Sequence, residues 1–345
     1  MAKGKLTIAD VAKRAGVSTG LVSFALNGRP GVAPETRDRI LAIADEMGWQ
    51  PSMHARALST SRSLAYGLVI QRDPSVLGSD SFYPPFIAGI ERALSSVGHV
   101  LVLSVVSSVG EEFAAYRSLI ESGRVDGVFL TDVRRDDARV ALIEELGSHA
   151  VVIGYADAGS RYPVVAISDE QASEDLIAHL HEHGHTDIGL VMGPEHLTHA
   201  ARWRDNLLEA MRKRDMRVPR IVQTDFSSVS GIEATRTLLE GPDTPTAIVY
   251  GNDNMAHAGL GFVQRAGFEV PLDLSIAGWI GSEATQYAFP SLTTVSVDVP
   301  EWGYRAAFAL MSTVAGETVP AADPVSSVLT IRESTGRART AGAAR

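Results

Sequence analysis

"AGVSTGLVSFALNG" (residues 15–28) is a small helical unit punctuated at both ends. Gly16 suits a left-handed residue closing a preceding helix, and Ser18 suits the cap of a following one. Leu21, Val22 and Ala25 carry the apolar face of that second helix until Asn27-Gly28 stops it. Upstream, Thr7 caps a helix through Ile8, Val11, Ala12 and Ala15, with Asp10 at the third helical position, where a box-type cap places an acid. Two short helices joined by a glycine turn make a helix-turn-helix, although a helical hairpin without a ligand carries the same marks. A third helix starts with Pro34 in its first turn, has Ile40, Leu41, Ile43, Ala44 and Met47 as its apolar stripe, and ends at Gly48.

The rest of the chain differs in charge. Residues 1–62 carry nine Lys and Arg against five Asp and Glu, a balance of +4 within a chain of net charge −10. A basic head on an acidic body suggests that the head meets a polyanion. At 345 residues, 45% of them apolar, the chain is long enough for two or three domains with ample core. It has no cysteine, hence no disulfide, thiolate chemistry or cysteine–zinc site. The N-terminal residues are too polar for a signal-peptide core, and no apolar run approaches a membrane span, so a cytoplasmic protein is expected.

From Tyr66 onward, short apolar runs such as "YGLVI", "VDGVFLT", "DIGLVMG" and "SIAGWI" alternate with helical segments near 85–97, 111–122, 171–183, 200–214 and 254–266. Such alternation means parallel sheets covered on both faces, with ligands beyond the C-terminal strand ends. No dinucleotide fingerprint, P-loop or nucleophile elbow follows any of these strands, so no enzyme, catalytic residue or cofactor is expected. "HLHEHGH" places His179 and His183 four apart, but Gly184 would end the helix there, so a solvated helix end is expected rather than a metal site.

Residues 6–58 resemble, without a gap, the DNA-binding head of the lactose/galactose repressor (LacI/GalR) family. The resemblance implies a lambda-repressor-like all-α head (residues 1–50) whose second helix lies in the major groove. Thr19, Gly20 and Phe24 would face base edges, and Ser18, Ser23 and Asn27 would reach phosphates, with Thr7 beside them. Gly20 and Phe24 depart from a hydrogen-bonding reader: glycine has no side chain, and phenylalanine can only touch thymine methyls or pack. Residues 51–63 would form a hinge helix on DNA, with Ala55, Arg56 and Leu58 matching the segment whose leucine wedges into the minor groove.

Residues 64–335 resemble the family's periplasmic-binding-protein-like module, through "GYADAG", "HEHGHTDIGLVMGP", "PTAIVYGNDNMAHAGLGFVQRAGFEVPLDLSIAGW" and "FPSLTTVSVD". This implies an α/β body of two Rossmann-like lobes, one of about 64–161 and 291–321, the other of about 162–290 and 322–335, with a disordered tail at 336–345. Carried over by position, an effector cleft would be lined by Phe82, Tyr83, Tyr155, Phe226, Asn252 and Asp253. At two places the pattern departs from sugar-responding relatives. Trp203, flanked by Arg202, stands where they place an arginine, and Trp279-Ile280 lacks their following acid. The cleft is therefore expected to grip fewer hydroxyls and to use aromatic faces. The function implied is a nucleoid-associated repressor that binds a pseudo-palindromic double-stranded operator as a homodimer, under a sugar or sugar-derived effector. A periplasmic-fold solute-binding protein without a transcriptional role is the alternative.

Overall fold

The computed structural model describes residues 6–26, 30–49, 62–73, 77–78, 80–155, 160–240, 244–319 and 323–339. The chain divides into two compact units, Met1–Leu64 and Ala65–Arg345. The expected hinge lies, up to residue 61, outside the described residues.

The first unit holds three helices, α1 (Ile8–Ala15), α2 (Thr19–Leu26) and α3 (Pro34–Glu46). The backbone N–H and the hydroxyl of Thr7 both donate to Asp10 Oδ2, at 2.8 and 2.7 Å, fixing the start of α1. Gly16 ends it at φ 67°, its N–H returning to the Ala12 carbonyl. Ser18 Oγ then accepts from the Leu21 N–H at 3.2 Å. Val11, Ala12, Ala15, Val22, Ala25, Ile40 and Ala44 close the core, and the Trp49 indole N–H reaches the Leu6 carbonyl to tie its ends. Leu41, read as part of the α3 stripe, points outward instead; Ile40, Ile43, Ala44 and Met47 complete the inner face.

The second unit contains two sheets. The first has the order β2-β1-β3-β4-β5, all parallel, from β1 (Ala65–Gln71), β2 (Val100–Val106), β3 (Gly127–Leu130), β4 (His149–Ile153) and β5 (Val164–Val165). The second runs β6-β12-β11-β10-β9-β7-β8, from β6 (Ile167–Ser168), β7 (Ile188–Met192), β8 (Arg220–Gln223), β9 (Ala247–Tyr250), β10 (Ser275–Ile280), β11 (Thr293–Val297) and β12 (Val325–Thr330). Only the β11–β12 pair in it is antiparallel. Helices α4 (Tyr83–Ser96), α5 (Val109–Glu121) and α6 (Ala138–Glu145) belong to the first lobe. Helices α7 (Glu170–Glu182), α8 (Thr198–Arg212), α9 (Ser228–Leu239), α10 (Asp253–Arg265) and α11 (Ala284–Tyr287) belong to the second. The long helix α12 (Val299–Ala315) packs with α4 over the first sheet through Phe86, Ile90, Trp302, Ala306 and Leu310.

Four assignments need correction, the first being residues 164–165, expected in the second lobe, which form β5 and bond to β4 of the first sheet. Residues 293–297 were expected in the first lobe, but β11 bonds to β10 and β12 and so belongs to the second. The chain crosses after Val297, where Asp298 Oδ1 caps α12 by accepting the Glu301 N–H and Pro300 fills the first turn. Residues 336–338 are docked rather than disordered. Gly336 donates to Ser275 Oγ and its carbonyl lies 3.0 Å from His185 Nε2, while the Ala338 N–H reaches the His183 carbonyl. This also corrects the reading of the histidine run. His185 and His179 are buried rather than solvated, and His179 Nε2 sits 2.9 Å from Thr335 Oγ1. These rings hold the C-terminal segment against the second lobe.

Candidate DNA-binding and ligand sites

In the first unit, α2 turns Val22 and Ala25 inward and leaves Thr19, Gly20 and Phe24 exposed, with Ser23 half-buried. Phe24, a candidate for the core as much as for a base contact, is 42% exposed and outside the core cluster. Thr7 and Ser18 engage helix starts through their side chains. Asn27, Ala55, Arg56 and Leu58 lie outside the described residues.

In the second unit, a cavity of about 110 Å³ opens beyond the C-terminal strand ends of both sheets. Arg72 follows β1, Thr131 and Asp132 follow β3, and Gly251 and Asn252 follow β9. Parallel strands direct their ends to one edge, so residues from distant parts of the sequence converge there. Arg72 pairs with Asp132 at 2.7 Å, and the Tyr83 hydroxyl donates to the same carboxylate at 2.8 Å. Burial works against the charge on Asp132, but Arg72, His199 and the Tyr83 hydrogen bond outweigh it and hold its carboxyl below the usual range. The Arg72 guanidinium also sits 5.8 Å from the ring centre of Tyr83, in the first lobe, and 5.9 Å from that of Phe226, in the second.

Phe226 has φ 71° and stacks nearly parallel to His199, with ring centres 5.8 Å apart. Gly193 makes room for it, since any side chain there would overlap the Phe226 ring. The Asn252 amide holds the Phe226 carbonyl at 3.0 Å while its oxygen caps α10. Trp203 and Trp279 pack at 4.2 Å between ring centres. Ile280 takes φ 104°, an unusual conformation for a β-branched residue, at the cavity wall.

Of the residues expected to line a cleft, Phe82, Tyr83, Trp203, Phe226, Asn252, Trp279 and Ile280 meet in this cavity. The other three stand behind it. The Tyr155 hydroxyl lies 2.8 Å from the lining carboxylate of Asp169, and Arg202 sits 4.2 Å over the Tyr155 ring. Asp253 is wholly buried, accepting from Thr294 Oγ1 and the Ser282 N–H, and braces the ends of β10 and β11. Beside the expected aromatic faces, four charged residues that the sequence reading did not name, Arg72, Asp80, Asp132 and Asp169, line the cavity, supplied by elements other than the departing positions. The signal available in the sequence was their placement just after, or heading, an apolar strand or helix. Beside the cavity the lobes are bonded together. The Thr198 N–H donates to the Val133 carbonyl at 2.8 Å, and the Arg135 N–H to the His196 carbonyl.

With this geometry in hand, comparison with known proteins is decisive. Residues 7–52 match the family described as bacterial regulatory proteins, lacI family, and residues 177–335 match the periplasmic binding protein-like domain. The HTH-type transcriptional repressor PurR of Klebsiella pneumoniae (strain 342) is 31% identical over 294 residues, 84% of each chain. The chain belongs to the lacI family of bacterial regulatory proteins. Like other lacI-family members it is a DNA-binding transcriptional regulator, with a helix-turn-helix unit and a periplasmic-binding-like body. A lacI-family regulator from Bifidobacterium animalis subsp. lactis is 30% identical, superimposing with TM-score 0.71 over 81% of this chain and all of the other. The transcriptional regulator CelR, solved as a cellobiose complex, is 27% identical with TM-score 0.71 over 95% and 99% of the two chains. The lac repressor dimer, solved with operator and the anti-inducer ONPF, shares the fold at TM-score 0.80 and 24% identity over 96% and 99%. Among the described residues, no helix is long and apolar enough to cross a membrane.

Proposed function

We propose that this lacI-family chain is a repressor that binds a pseudo-palindromic operator as a homodimer and changes its operator affinity when a small molecule occupies the cavity between its lobes. The observation that carries this reading is the pairing, in one chain, of an exposed α2 face with a cavity lined from both lobes. Thr19 and Phe24 meet base edges, Gly20 lets the backbone approach closely, and Ser18, Ser23 and Asn27 serve phosphates, with Thr7 at the start of α1. Ala55, Arg56 and Leu58 form the minor-groove wedge. A single small unit makes few phosphate and base contacts, which is why two copies on two half-sites are needed. The PurR relative is named a transcriptional repressor, the lac repressor is solved as an operator-bound dimer and CelR is solved with cellobiose, all of which support the reading.

The chain's action runs through linkage. A ligand held by groups of both lobes favours one lobe arrangement, and the arrangement sets the spacing of the paired heads. The test is binding of the full-length protein to its own upstream DNA by fluorescence anisotropy, with and without a panel of small molecules. Specific binding that weakens in Leu58→Ala and Phe24→Ala, and that one compound modulates, is the expected result. Binding without sequence preference at every salt concentration would overturn it.

A further inference from the structure

The cavity walls are rich in hydrogen-bond acceptors and short of donors. Arg72 is already paired with Asp132, the Tyr83 hydroxyl donates to the same group, and the Asn252 amide is held by Phe226 and Met255. His199 is kept neutral by burial and so offers one ring N–H but no positive charge. Two lining carboxylates remain. Asp80 accepts the Phe82 and Tyr83 N–H groups, and Asp169 the Tyr155 hydroxyl and the Asn206 amide, and all four bonds fall on Oδ1. Burial pushes both carboxyls up, although Arg72 near Asp80 and Arg202 near Asp169 offset part of it. Two buried donors have no partner among the described residues: the indole N–H of Trp203, a residue only 4% exposed, and the Nε–H of Arg72, whose charge Asp132 already neutralises. The faces of Phe82, Trp203, Phe226, Trp279 and Trp302 complete the walls.

Resting on the reading of this cavity as the effector site, we infer that its ligand is a small organic cation: a protonated amine on a ring or apolar frame. Its N–H groups meet Asp80 and Asp169, its positive charge lies among aromatic faces, and acceptor atoms take the Trp203 indole and Arg72 Nε protons. A polyol would bring as many oxygens needing donors as hydroxyls needing acceptors, and the walls have few donors to give. A phosphate or carboxylate would enter beside two buried carboxylates, and the guanidinium that lines the cavity, Arg72, is already neutralised by Asp132.

The test uses full-length protein and intrinsic tryptophan fluorescence, since Trp203, Trp279 and Trp302 line the cavity. Two series of one frame and three charges are titrated: glucosamine, glucose and glucuronate; phenethylamine, 2-phenylethanol and phenylacetate. The amine of at least one frame should bind about tenfold more tightly than its neutral partner, with its anion weakest. Asp80→Asn and Asp169→Asn keep an Oδ1 acceptor and should bring amine and neutral partner within about threefold of each other, while melting as high as or higher than the parent without ligand. Equal or tighter binding of a neutral or anionic member, no saturable change in either series, or lower melting of both Asn variants would overturn the cation. A neutral sugar that binds and shifts DNA affinity would overturn the cation and leave the effector reading standing. An amine that binds without moving DNA affinity would leave the cation standing and overturn the effector reading.

Discussion

Arg72 and Asp132 set the electrostatics of the cavity, and each depends on the other. Both side chains are 17% exposed, so removing one leaves the other charged and poorly solvated. Arg72→Ala should cost about 3 kcal/mol in urea unfolding, and Arg72→Ala with Asp132→Asn should recover most of it. His199 adds a pH dependence. Burial depresses its imidazole below 6.5, with Asp132 opposing and Arg72 assisting. A depressed histidine contributes stability that is fully present above 6.5 and is lost as pH falls through its folded pKa. His199→Gln should therefore flatten the acid side of a melting-temperature profile below pH 6.5, and an unchanged profile would refute the assignment. The aromatic lining was legible in the sequence because Phe82, Tyr83, Trp203, Phe226 and Trp279 stand at strand ends or in register with a known pattern. The charged lining was not. Arg72 and Asp132 lie sixty residues apart, and only the order β2-β1-β3 makes their strand ends neighbours.

At the scale of elements, α4 and α12 illustrate what composition alone conceals. Gly89 and Gly303 read as helix-weakening residues. In the fold a side chain at Gly89 would overlap the Pro300 carbonyl, and one at Gly303 the Phe86 carbonyl, so both glycines allow the two helices to touch. The obstacle is backbone and cannot swing aside. Gly89→Ala and Gly303→Ala should each destabilise by about 2–3 kcal/mol, read as a lowered denaturation midpoint of the body. The strands of the first sheet and the start of α2 were legible because apolar runs and caps are local signals. The strand β8 and the helices α6 and α9 left weaker marks: β8 alternates half-buried and exposed residues over only four positions. The misplacement of β11 has a similar cause. Phe289-Pro290 looks like the end of a lobe, yet the alternation that follows it completes the second sheet before the chain crosses.

For the molecule as a whole, the charge split noted in the sequence has a thermodynamic meaning. Operator affinity should fall steeply with salt because the head releases counterions from DNA, whereas binding in the enclosed cavity should respond to salt far less. In the function proposed above the two events are coupled through the lobes, and coupling of that kind is reciprocal. A compound that changes operator affinity by some factor must have its own affinity changed by operator in the same ratio. Tryptophan titration of the full-length protein, with and without saturating operator duplex, measures that second factor, and anisotropy measures the first. Equality of the two is expected if the ligand that moves DNA binding sits in the cavity. Thr198 offers the matching perturbation. Its hydroxyl and N–H both bond the Val133 carbonyl across the lobes, so Thr198→Val, which keeps the shape and loses the hydroxyl bond, should reduce both factors together. A variant that lowered one and spared the other would place the compound at a different site.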